Sequence, residues 1–416
     1  MRNVKLWTVM LGLGKVIIES VYFDEGSTAL IVAVRLRKGK KRCGICGKRS
    51  PGYDNGEGLR RWRTLDVGKM KSYVETVALR VTCHDHGPTV IQFPFARHDA
   101  GHTYSFDDMI AWVATHTSKT ATCQLFRIAW RTVGKVITRV VRDADAGTNR
   151  LAHLTRIGID EISYTKGHNY LTVVIDHDRK RLVWVGVGRT KNTLRGFFDL
   201  LGEERSKEIS LVSADGASWI DTVVKERCPN AKLCIDPFHV VKWCQEALDD
   251  VRKDLSNTAR KEGQRSVAHD IKGARYALLK NPDTLTDRQK TKLSEIQKLY
   301  EPLYRGYLLK EELRHVFVLK GAEGIDHLTE WLDWSCRSRI PQFVELSRKI
   351  RRHKEGIEDA LRYGLSNGLV ESTNTKIRLL MRMAFGFRST DALIAMIQLA
   401  LGGLCPPLPH TLLSAS

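Results

Sequence analysis

Hydrophobic and polar residues change their spacing twice along the chain, and these changes divide it into three parts. Before Pro94, the run Tyr73–Val81 is typical of a strand. After Pro94 the spacing predicts an amphipathic helix over 104–115. Its apolar side chains are Phe106, Met109, Ile110 and Val113. From residue 155 onward, short apolar runs between polar turns predict strands and connecting helices.

Residues 118–142 predict a helix-turn-helix. One face of the second helix is apolar and carries Val133, Val136, Ile137 and Val140. The remaining surface is largely polar and basic and carries Arg131, Thr132, Lys135, Arg139 and Arg142. Such a helix suits the major groove, so we expect these five residues to bind DNA. The alternative is a surface helix with a solvated basic face, and Arg127 stands in the turn where glycine is usual.

The third part has the element order β-β-β-α-β-α-β. The predicted strands are 155–163, 170–176, 181–187, 208–215 and 231–236, and the predicted helices are 193–201 and 219–227. This order predicts an α/β catalytic core of ribonuclease-H-like type with a mixed five-stranded sheet. Three antiparallel strands open the sheet, and two crossover helices add parallel strands.

Two aspartates occupy places that come together in such a fold. Asp160 lies in the middle of the first strand and Asp215 ends the fourth. A buried carboxylate among Ile and Val is costly unless it is neutralised, and a divalent metal is its natural partner. The alternative is that each aspartate caps a turn. Asp236 ends the fifth strand and is the rival second acid; we favour Asp215 because the fourth strand carries that acid in this fold.

A third carboxylate is expected from a later helix. Residues 246–362 are mostly helical by their pattern and form an insertion, divided by Pro282, Pro302 and Pro341. Asn367-Gly368 then predicts a turn before a helix whose one face carries Glu371, Asn374, Thr375 and Arg378. A carboxylate, an amide and a guanidinium on one face are suited to binding a metal together with a phosphate. The alternative interpretation is that these polar residues form a solvated helix face without a ligand. We expect phosphate contacts from Asn374, Lys376 and Arg378.

Three cysteines and a histidine have the spacing of metal ligands. Cys43-x-x-Cys46 and Cys83-x-x-His86 flank the strand-like stretch, and paired turns of this kind form a zinc ribbon with a filled, structural site. His84 is the alternative fourth ligand, and two unrelated cysteine turns are the alternative to a metal site. The chain has nine cysteines, an odd and sparse number that favours a reducing, cytoplasmic location over a disulfide framework.

Charge indicates the partner. The 416 residues carry a net charge of +20, and residues 1–150 hold 25 basic but only 13 acidic side chains. Such a surplus indicates nucleic acid or an anionic membrane surface. Membrane insertion is not expected, because the most apolar run, Leu393–Leu408, is broken by polar, glycine and proline residues. The apolar stretch Leu6–Leu13 is not followed by a cleavage site, so we do not expect a signal peptide.

Taken together, these motifs resemble the DDE transposases of bacterial insertion sequences, specifically the ISL-three family. The resemblance spans nearly the whole chain and rests on the zinc-ribbon pairs, the helix-turn-helix, and five further motifs. These are Gly158-Ile-Asp-Glu161, Ser213-Ala-Asp215, Asp236-Pro-Phe-His239-Val-Val, Ser366-Asn-Gly-Leu-Val-Glu371-Ser-x-Asn-x-Lys376-Ile and Gly386-Phe-Arg388. The second zinc pair departs from the family's more common CxxC.

The resemblance implies that Asp160, Asp215 and Glu371 are a catalytic triad that holds magnesium or manganese. It also implies binding of double-stranded DNA, both terminal inverted repeats and target, followed by cleavage and strand transfer. A homodimer or larger assembly is expected because two ends must be brought together. His239 is expected either beside the site, in contact with DNA, or as a structural histidine.

The sequence divides into five segments on this reading. They are a zinc ribbon (1–95), a helix-turn-helix domain (96–150), the first part of the core (151–245), a helical insertion (246–362) and C-terminal core helices (363–416). A catalytically inactive DNA-binding regulator derived from a transposase is the alternative, although a relic has no reason to retain three acids. A structure-selective nuclease would leave the zinc ribbon and helix-turn-helix without a purpose.

Overall fold

The computed structural model describes residues 4–408 except residues 27, 38 and 40, so the outer ends of the first and last expected segments lie outside the described residues. The chain forms two compact units. Residues up to 150 and from 377 onward form the first unit, and residues 151–376 form the second. No helix in the described ranges is long and apolar enough to cross a bilayer.

The first unit begins with a short helix and two small sheets. The elements are α1 (Val4–Met10), β1 (Val16–Phe23), β2 (Ala29–Leu36), β3 (Leu59–Val67), β4 (Met70–Val77), β5 (Arg80–Cys83) and β6 (Gly87–Val90). The larger sheet has the order β1-β2-β4-β3, and β5 and β6 form a hairpin. The predicted strand Tyr73–Val81 is therefore two strands, because the chain passes from one sheet to the other at Ala78–Leu79.

Three helices follow, as the apolar periodicity predicts: α2 (Tyr104–His116), α3 (Lys119–Phe126) and α4 (Trp130–Ala146). Thr103 and Ser118 cap α2 and α3 by accepting hydrogen bonds from the N–H groups of Phe106 and Ala121. The apolar stripe of α4 is buried in the core that the three helices share. This arrangement agrees with the predicted helix-turn-helix.

Arg127 closes α3 in the left-handed conformation, with φ 53°, at the turn position where glycine is usual. The residue is held there by its own side chain. One guanidinium nitrogen donates to the carbonyl of Lys69 at 3.0 Å, and another forms an ion pair with Asp66. A non-glycine residue in this conformation costs about 1 kcal/mol, and these contacts offset the strain.

Arg139 faces a buried carboxylate rather than solvent. Its Nε and one terminal nitrogen donate to the two oxygens of Asp107, each at 2.9 Å. Asp107 is completely buried and also lies 3.1 Å from the imidazole of His102. Burial raises the pKa of Asp107, but the hydrogen bonds from His102 and Arg139 outweigh it and lower the pKa overall. The pair therefore joins α4 to α2.

The second unit opens with the mixed sheet that the sequence predicts. Its elements are β7 (Arg156–Thr165), β8 (Asn169–Asp176), β9 (Arg181–Val187), α5 (Lys191–Leu201), α6 (Glu203–Lys207), β10 (Leu211–Ala214), α7 (Ser218–Arg227) and β11 (Lys232–Ile235). The strand order is β11-β10-β7-β8-β9. Strands β7, β8 and β9 are antiparallel, and β10 and β11 are parallel to β7. Helices α5 and α7 contribute to the apolar core that includes Ile157 and Ile159.

Eight α-helices form the insertion: α8 (Pro237–Lys261), α9 (Arg265–Gly273), α10 (Arg275–Leu279), α11 (Asp287–Leu299), α12 (Glu301–Leu319), α13 (Gly321–Arg337), α14 (Pro341–Arg352) and α15 (Lys354–Tyr363). Pro302 and Pro341 lie in the first turns of their helices, where proline's missing N–H costs nothing. Helix α8 runs without a break from Pro237, so it crosses the expected boundary at residue 245.

Two helices end the described chain, α16 (Gly368–Met383) and α17 (Thr390–Leu401). The sequence assigned residues 363–416 to the catalytic core. In the structure, Leu380, Met396 and Leu399 instead belong to the apolar core of α2 and α4, so the chain from residue 377 is part of the first unit. The physical reason is that α17 is apolar on several faces and packs against α4.

The Asp107–Arg139 pair leads to a stability prediction. We expect Arg139→Ala to lower the unfolding free energy of the first unit by about 3–5 kcal/mol, because it leaves Asp107 buried without its partner. Hydrogen exchange of α4 peptides in the full-length protein measures this. Arg142→Ala is the control, since Arg142 is exposed on the same helix, and it should change the value by less than about 0.5 kcal/mol. Equal protection in the two variants would contradict the role of Arg139.

Candidate functional site

Asp160 and Asp215 lie at the same level of the second unit's sheet. Ser213 of β10 pairs with Gly158 of β7 in parallel register, and each aspartate lies two residues further along the chain. Both side chains are half-buried. Burial, together with the negative charge of Asp215, raises the pKa of Asp160 to about 6. The structure therefore brings together the two carboxylates that the sequence predicted.

The carboxylate of Asp160 is held at both oxygens. Oδ1 accepts a hydrogen bond from the N–H of Glu161 at 2.8 Å, and Oδ2 accepts one from Nδ2 of Asn374, also at 2.8 Å. Asp215 accepts a hydrogen bond at Oδ1 from the N–H of Ala217 at 2.9 Å, and the described residues provide no hydrogen bond to its Oδ2. One oxygen of Asp215 is thus available to a ligand.

Glu371 lies in the first turn of α16, one turn before Asn374. This turn is seated closely on β7, because Gly158 has no side chain there. A Cβ atom on Gly158 would lie 2.6 Å from Cγ2 of Val370, closer than real carbon atoms approach. The close approach and the hydrogen bond of Asn374 together fix the helix of the third acid against the strand of the first.

Asp236, the rival second acid, is fully engaged by the protein. Its Oδ1 accepts the N–H of Asn367 at 3.0 Å, and its Oδ2 lies 3.0 Å from Nδ1 of His239. The residue is only 2% exposed. The hydrogen bond to Asp236 raises the pKa of His239, which also senses the charges of Asp215 and Asp160. This geometry favours Asp215 as the second metal-binding acid and places His239 beside the carboxylates.

The site contains a fourth carboxylate to which the sequence reading gave no role. Burial raises the pKa of Glu161 to about 7, and the charges of Asp215 and Asp160 contribute. The signal was present in the sequence as the second acid of Gly-Ile-Asp-Glu. Sequence reading also missed the hydrogen bonds that join Ser213 to Asn367 and to His177, since nothing in the pattern shows that these residues meet.

The donor set fits a divalent cation. Magnesium and manganese prefer carboxylate and amide oxygens, which this cluster provides. Two buried oxygens of this acidic cluster, Oε2 of Glu161 and Oδ1 of Asn374, have no hydrogen-bond partner among the described residues. Buried acceptors are normally satisfied, so these atoms and the desolvated carboxylates indicate a missing positive group.

The expected DNA-contacting residues fall into two groups. Arg131, Lys135, Arg142, Lys376 and Arg378 are exposed, whereas Thr132 is half-buried. Arg139 is committed to Asp107, and Asn374 is only 3% exposed and committed to Asp160. The geometry of these last two side chains therefore does not support the predicted DNA contacts, because each is held by a carboxylate within its own unit.

The predicted zinc ligands meet in the first unit. The ligand atoms of Cys43, Cys46, Cys83 and His86 all lie within 4.8 Å of one another. Sγ of Cys46 and Sγ of Cys83 are 3.6 Å apart, and Nδ1 of His86 lies 3.6 Å from Cys83 and 3.9 Å from Cys43. A tetrahedral zinc with bonds of about 2.3 Å to sulfur has edges of about 3.8 Å, which these distances match.

His84 is excluded from this cluster by its orientation. Its side chain is fully exposed, and its Nδ1 lies 3.1 Å from the carboxylate of Asp85. The hydrogen bond from His86, in contrast, lowers the pKa of the Cys83 thiol to about 6. A thiol with a lowered pKa is more readily the thiolate that binds a metal.

Comparison with known proteins assigns the segments that carry these sites to three families. Residues 157–397 match a family described as transposase, and residues 91–141 match the helix-turn-helix domain of transposase family ISL3. Residues 40–86 match the zinc finger of the transposases IS204, IS1001, IS1096 and IS1165.

Full-length relatives give the same result. The transposase for insertion sequence element IS1557 from two strains of Mycobacterium tuberculosis is 53% identical over 434 aligned positions, which cover 98% of both chains. The transposase for insertion sequence element IS1001 from Bordetella parapertussis is 29% identical over 285 positions, 68% of this chain and 70% of its own. The chain therefore belongs to the ISL3 family of DDE transposases.

Proposed function

We propose that this protein is the transposase of its own insertion sequence, with a catalytic core of ribonuclease-H-like type. It binds the terminal inverted repeats, cleaves DNA there with a divalent metal, and joins the released 3′-hydroxyl to target DNA. The observation that carries the proposal is the pair Asp160 and Asp215 on adjacent parallel strands, with Asn374 linking Asp160 to the helix of Glu371.

Asp160, Asp215 and Glu371 are the residues that hold the metal in this proposal, and magnesium or manganese fits their oxygen donors. A divalent metal bound there would supply activation of the attacking oxygen and stabilisation of the leaving oxygen at phosphorus. The protein's own contribution is to fix the carboxylates. Asp160 is oriented by Asn374, and His239 is oriented by Asp236, whose hydrogen bond raises the pKa of the imidazole and so favours its charged form.

End recognition is assigned to the helix-turn-helix. Arg131, Lys135 and Arg142 project from α4, and three cationic side chains on one exposed helix surface suit the DNA backbone and the major groove. Lys376 and Arg378 are exposed on α16 and are proposed as further phosphate contacts. Because the two ends of an element must be joined in one complex, a homodimer or larger assembly is part of the proposal.

The catalytic assignment predicts that substitution of the three acids abolishes DNA cleavage without weakening the binding of end DNA. We expect Asp160→Asn, Asp215→Asn and Glu371→Gln each to reduce magnesium-dependent cleavage of the element's end DNA on the order of 10³-fold or more. Cleavage is measured on denaturing gels and end binding by mobility shift. Binding should remain within about threefold, since the helix-turn-helix is not changed.

Asp221→Asn is the matched control, because Asp221 is in the second unit but pairs with Lys225 on the surface of α7. It should cleave like the wild type. If the wild-type protein binds the ends and does not cut in magnesium or manganese, the enzyme proposal fails and a DNA-binding regulator remains.

Asn374 is proposed as a positioning residue for Asp160. We expect Asn374→Ala to reduce cleavage by about 10–100-fold and to raise the metal concentration needed for half-maximal activity, as loss of a partner that orients a metal ligand does. Manganese affinity, measured by electron paramagnetic resonance of the free ion, should fall in parallel. Thr375→Ala, at the exposed neighbouring position, should change neither quantity. Normal manganese affinity in Asn374→Ala would contradict this role.

Cys43, Cys46, Cys83 and His86 are proposed to bind one structural zinc ion. We expect purified protein to contain one zinc per chain by elemental analysis, and His86→Ala and Cys46→Ser to lose it. His84→Ala should retain it, because that side chain is directed away from the cluster. Zinc loss in His84→Ala together with retention in His86→Ala would reverse the ligand assignment.

A further inference from the structure

Five cations without a carboxylate partner among the described residues line one cleft of the first unit, beside a sixth, Arg139, which is held by Asp107. The cleft has a volume of about 650 Å³ and lies between α4 and residues 384–392, which comprise the connection from α16 to α17 and the first turn of α17. The cations are Lys119, Arg131, Lys135, Arg142 and Arg388. Across the part of the chain that the structure describes, none of the five side chains forms an ion pair or a hydrogen bond. Many other lysines and arginines of this protein are paired with carboxylates.

The position of Lys119 is costly without an anion. Burial lowers its pKa, and the positive charge of Arg388 lowers it further. Its Nζ lies 3.5 Å from the centre of the Trp130 ring, and the guanidinium carbon of Arg388 lies 5.8 Å from the same ring. Among the residues that line the cleft, only Asp99 and Asp391 are acidic. Two cations at one partly exposed indole therefore indicate a site for an external anion.

The floor of the cleft is apolar. It is formed by Val133 and Ile137 of α4 together with Leu380, Met383 and Phe387 from the C-terminal chain. Trp130 is 42% exposed. A ligand that fits must combine a flat apolar part with a negative charge, and a nucleotide has both in its base and its phosphate.

We propose that this cleft binds one unpaired nucleotide of DNA at the end of the element. The base packs against Trp130 and the apolar floor, and Lys119 and Arg388 neutralise its phosphate. Arg131, Lys135 and Arg142 hold the phosphates on either side. The proposal rests on the proposed function, since it assumes that α4 contacts end DNA. It adds that the C-terminal chain, through Arg388 and Phe387, forms one wall of the DNA-binding site.

The strand end is where such a nucleotide is most accessible. Unstacking a base from a continuous duplex costs a few kcal/mol, and the cost is least where the base is already unpaired. Cleavage at the element's end creates such a position. The chain's own residues 409–416 are a poorer occupant, because they contain no aspartate or glutamate to balance the five cations.

The test uses the full-length protein and a duplex of the element's terminal repeat that is already cut at the element's end, so that the unpaired position does not depend on catalysis. 2-Aminopurine is placed in turn at each adenine near that end. In the wild-type complex we expect one position whose fluorescence reports an unstacked base. Trp130→Ala should abolish this signal and weaken binding about tenfold, the scale of one lost stacking contact, and Trp130→Phe should restore both. The slope of log affinity against log salt should not change in Trp130→Ala.

The double variant Lys119→Ala/Arg388→Ala should instead reduce that slope by about two, because two phosphate contacts are removed. Lys15→Ala/Lys69→Ala is the matched control, since both lysines are exposed in the same unit outside the cleft, and it should leave the base signal unchanged. Absence of any unstacked position, or its persistence in Trp130→Ala, would overturn the proposal. A truncation at residue 408 that binds DNA about tenfold more tightly would assign the cleft to the chain's own end and would also overturn it.

The result of this test can be distinguished from the result of the cleavage test of the proposed function. A protein that unstacks the base but never cuts supports the cleft and refutes the enzyme. A protein that cuts normally in the Trp130→Ala and Lys119→Ala/Arg388→Ala variants supports the enzyme and refutes the cleft.

Discussion

The hydrogen bond from Asn374 to Asp160 joins residues 214 positions apart in the chain, and the arrangement of the acidic site depends on it. It orients the carboxylate of Asp160 and, because Asn374 is on α16 one turn beyond Glu371, it also fixes the helix that carries the third acid. Gly158 permits the contact by letting α16 approach β7 closely. The eight-helix insertion can therefore separate Asp215 from Glu371 in sequence without separating the strand and the helix in space.

A site built in this way concentrates negative charge at a cost in stability. Burial raises the pKa of both Asp160 and Glu161, and nearby carboxylates add to the effect, so the ionised cluster is unfavourable without a cation. His239 lies beside these carboxylates, and its hydrogen bond to Asp236 raises its pKa. The protein has thus divided its acids between two tasks. Asp236 is saturated by hydrogen bonds and orients its neighbours, whereas Asp215 keeps one oxygen without a hydrogen bond.

Local pattern predicted the elements and the two aspartates, because strand periodicity and strand order are properties of short segments. It did not predict the partners of long polar side chains. Arg139 and Asn374 were assigned to DNA from their position on helices, yet their carboxylate partners are 32 and 214 residues away. The expected core segment 363–416 is divided in the structure, because the chain from residue 377 lies in the first unit. Helix α17 is apolar enough to join any nearby core, and only the fold shows that it packs against α4.

The distinction between paired and unpaired cations also refines what the net charge of +20 means. On α4, Arg139 forms an ion pair with the buried Asp107 and so stabilises the fold. Arg131, Lys135 and Arg142 have no carboxylate partner among the described residues. A basic residue adds the same charge to the total whether it is paired within the protein or available to DNA. Only the presence or absence of a carboxylate partner distinguishes the two kinds of residue. Because Arg388 and Lys119 share the unpaired state and meet at Trp130, the basic surface of α4 extends to the C-terminal chain. Packing α17 against α4 therefore does more than complete a core, since it brings the connecting segment and its cation to the edge of α4.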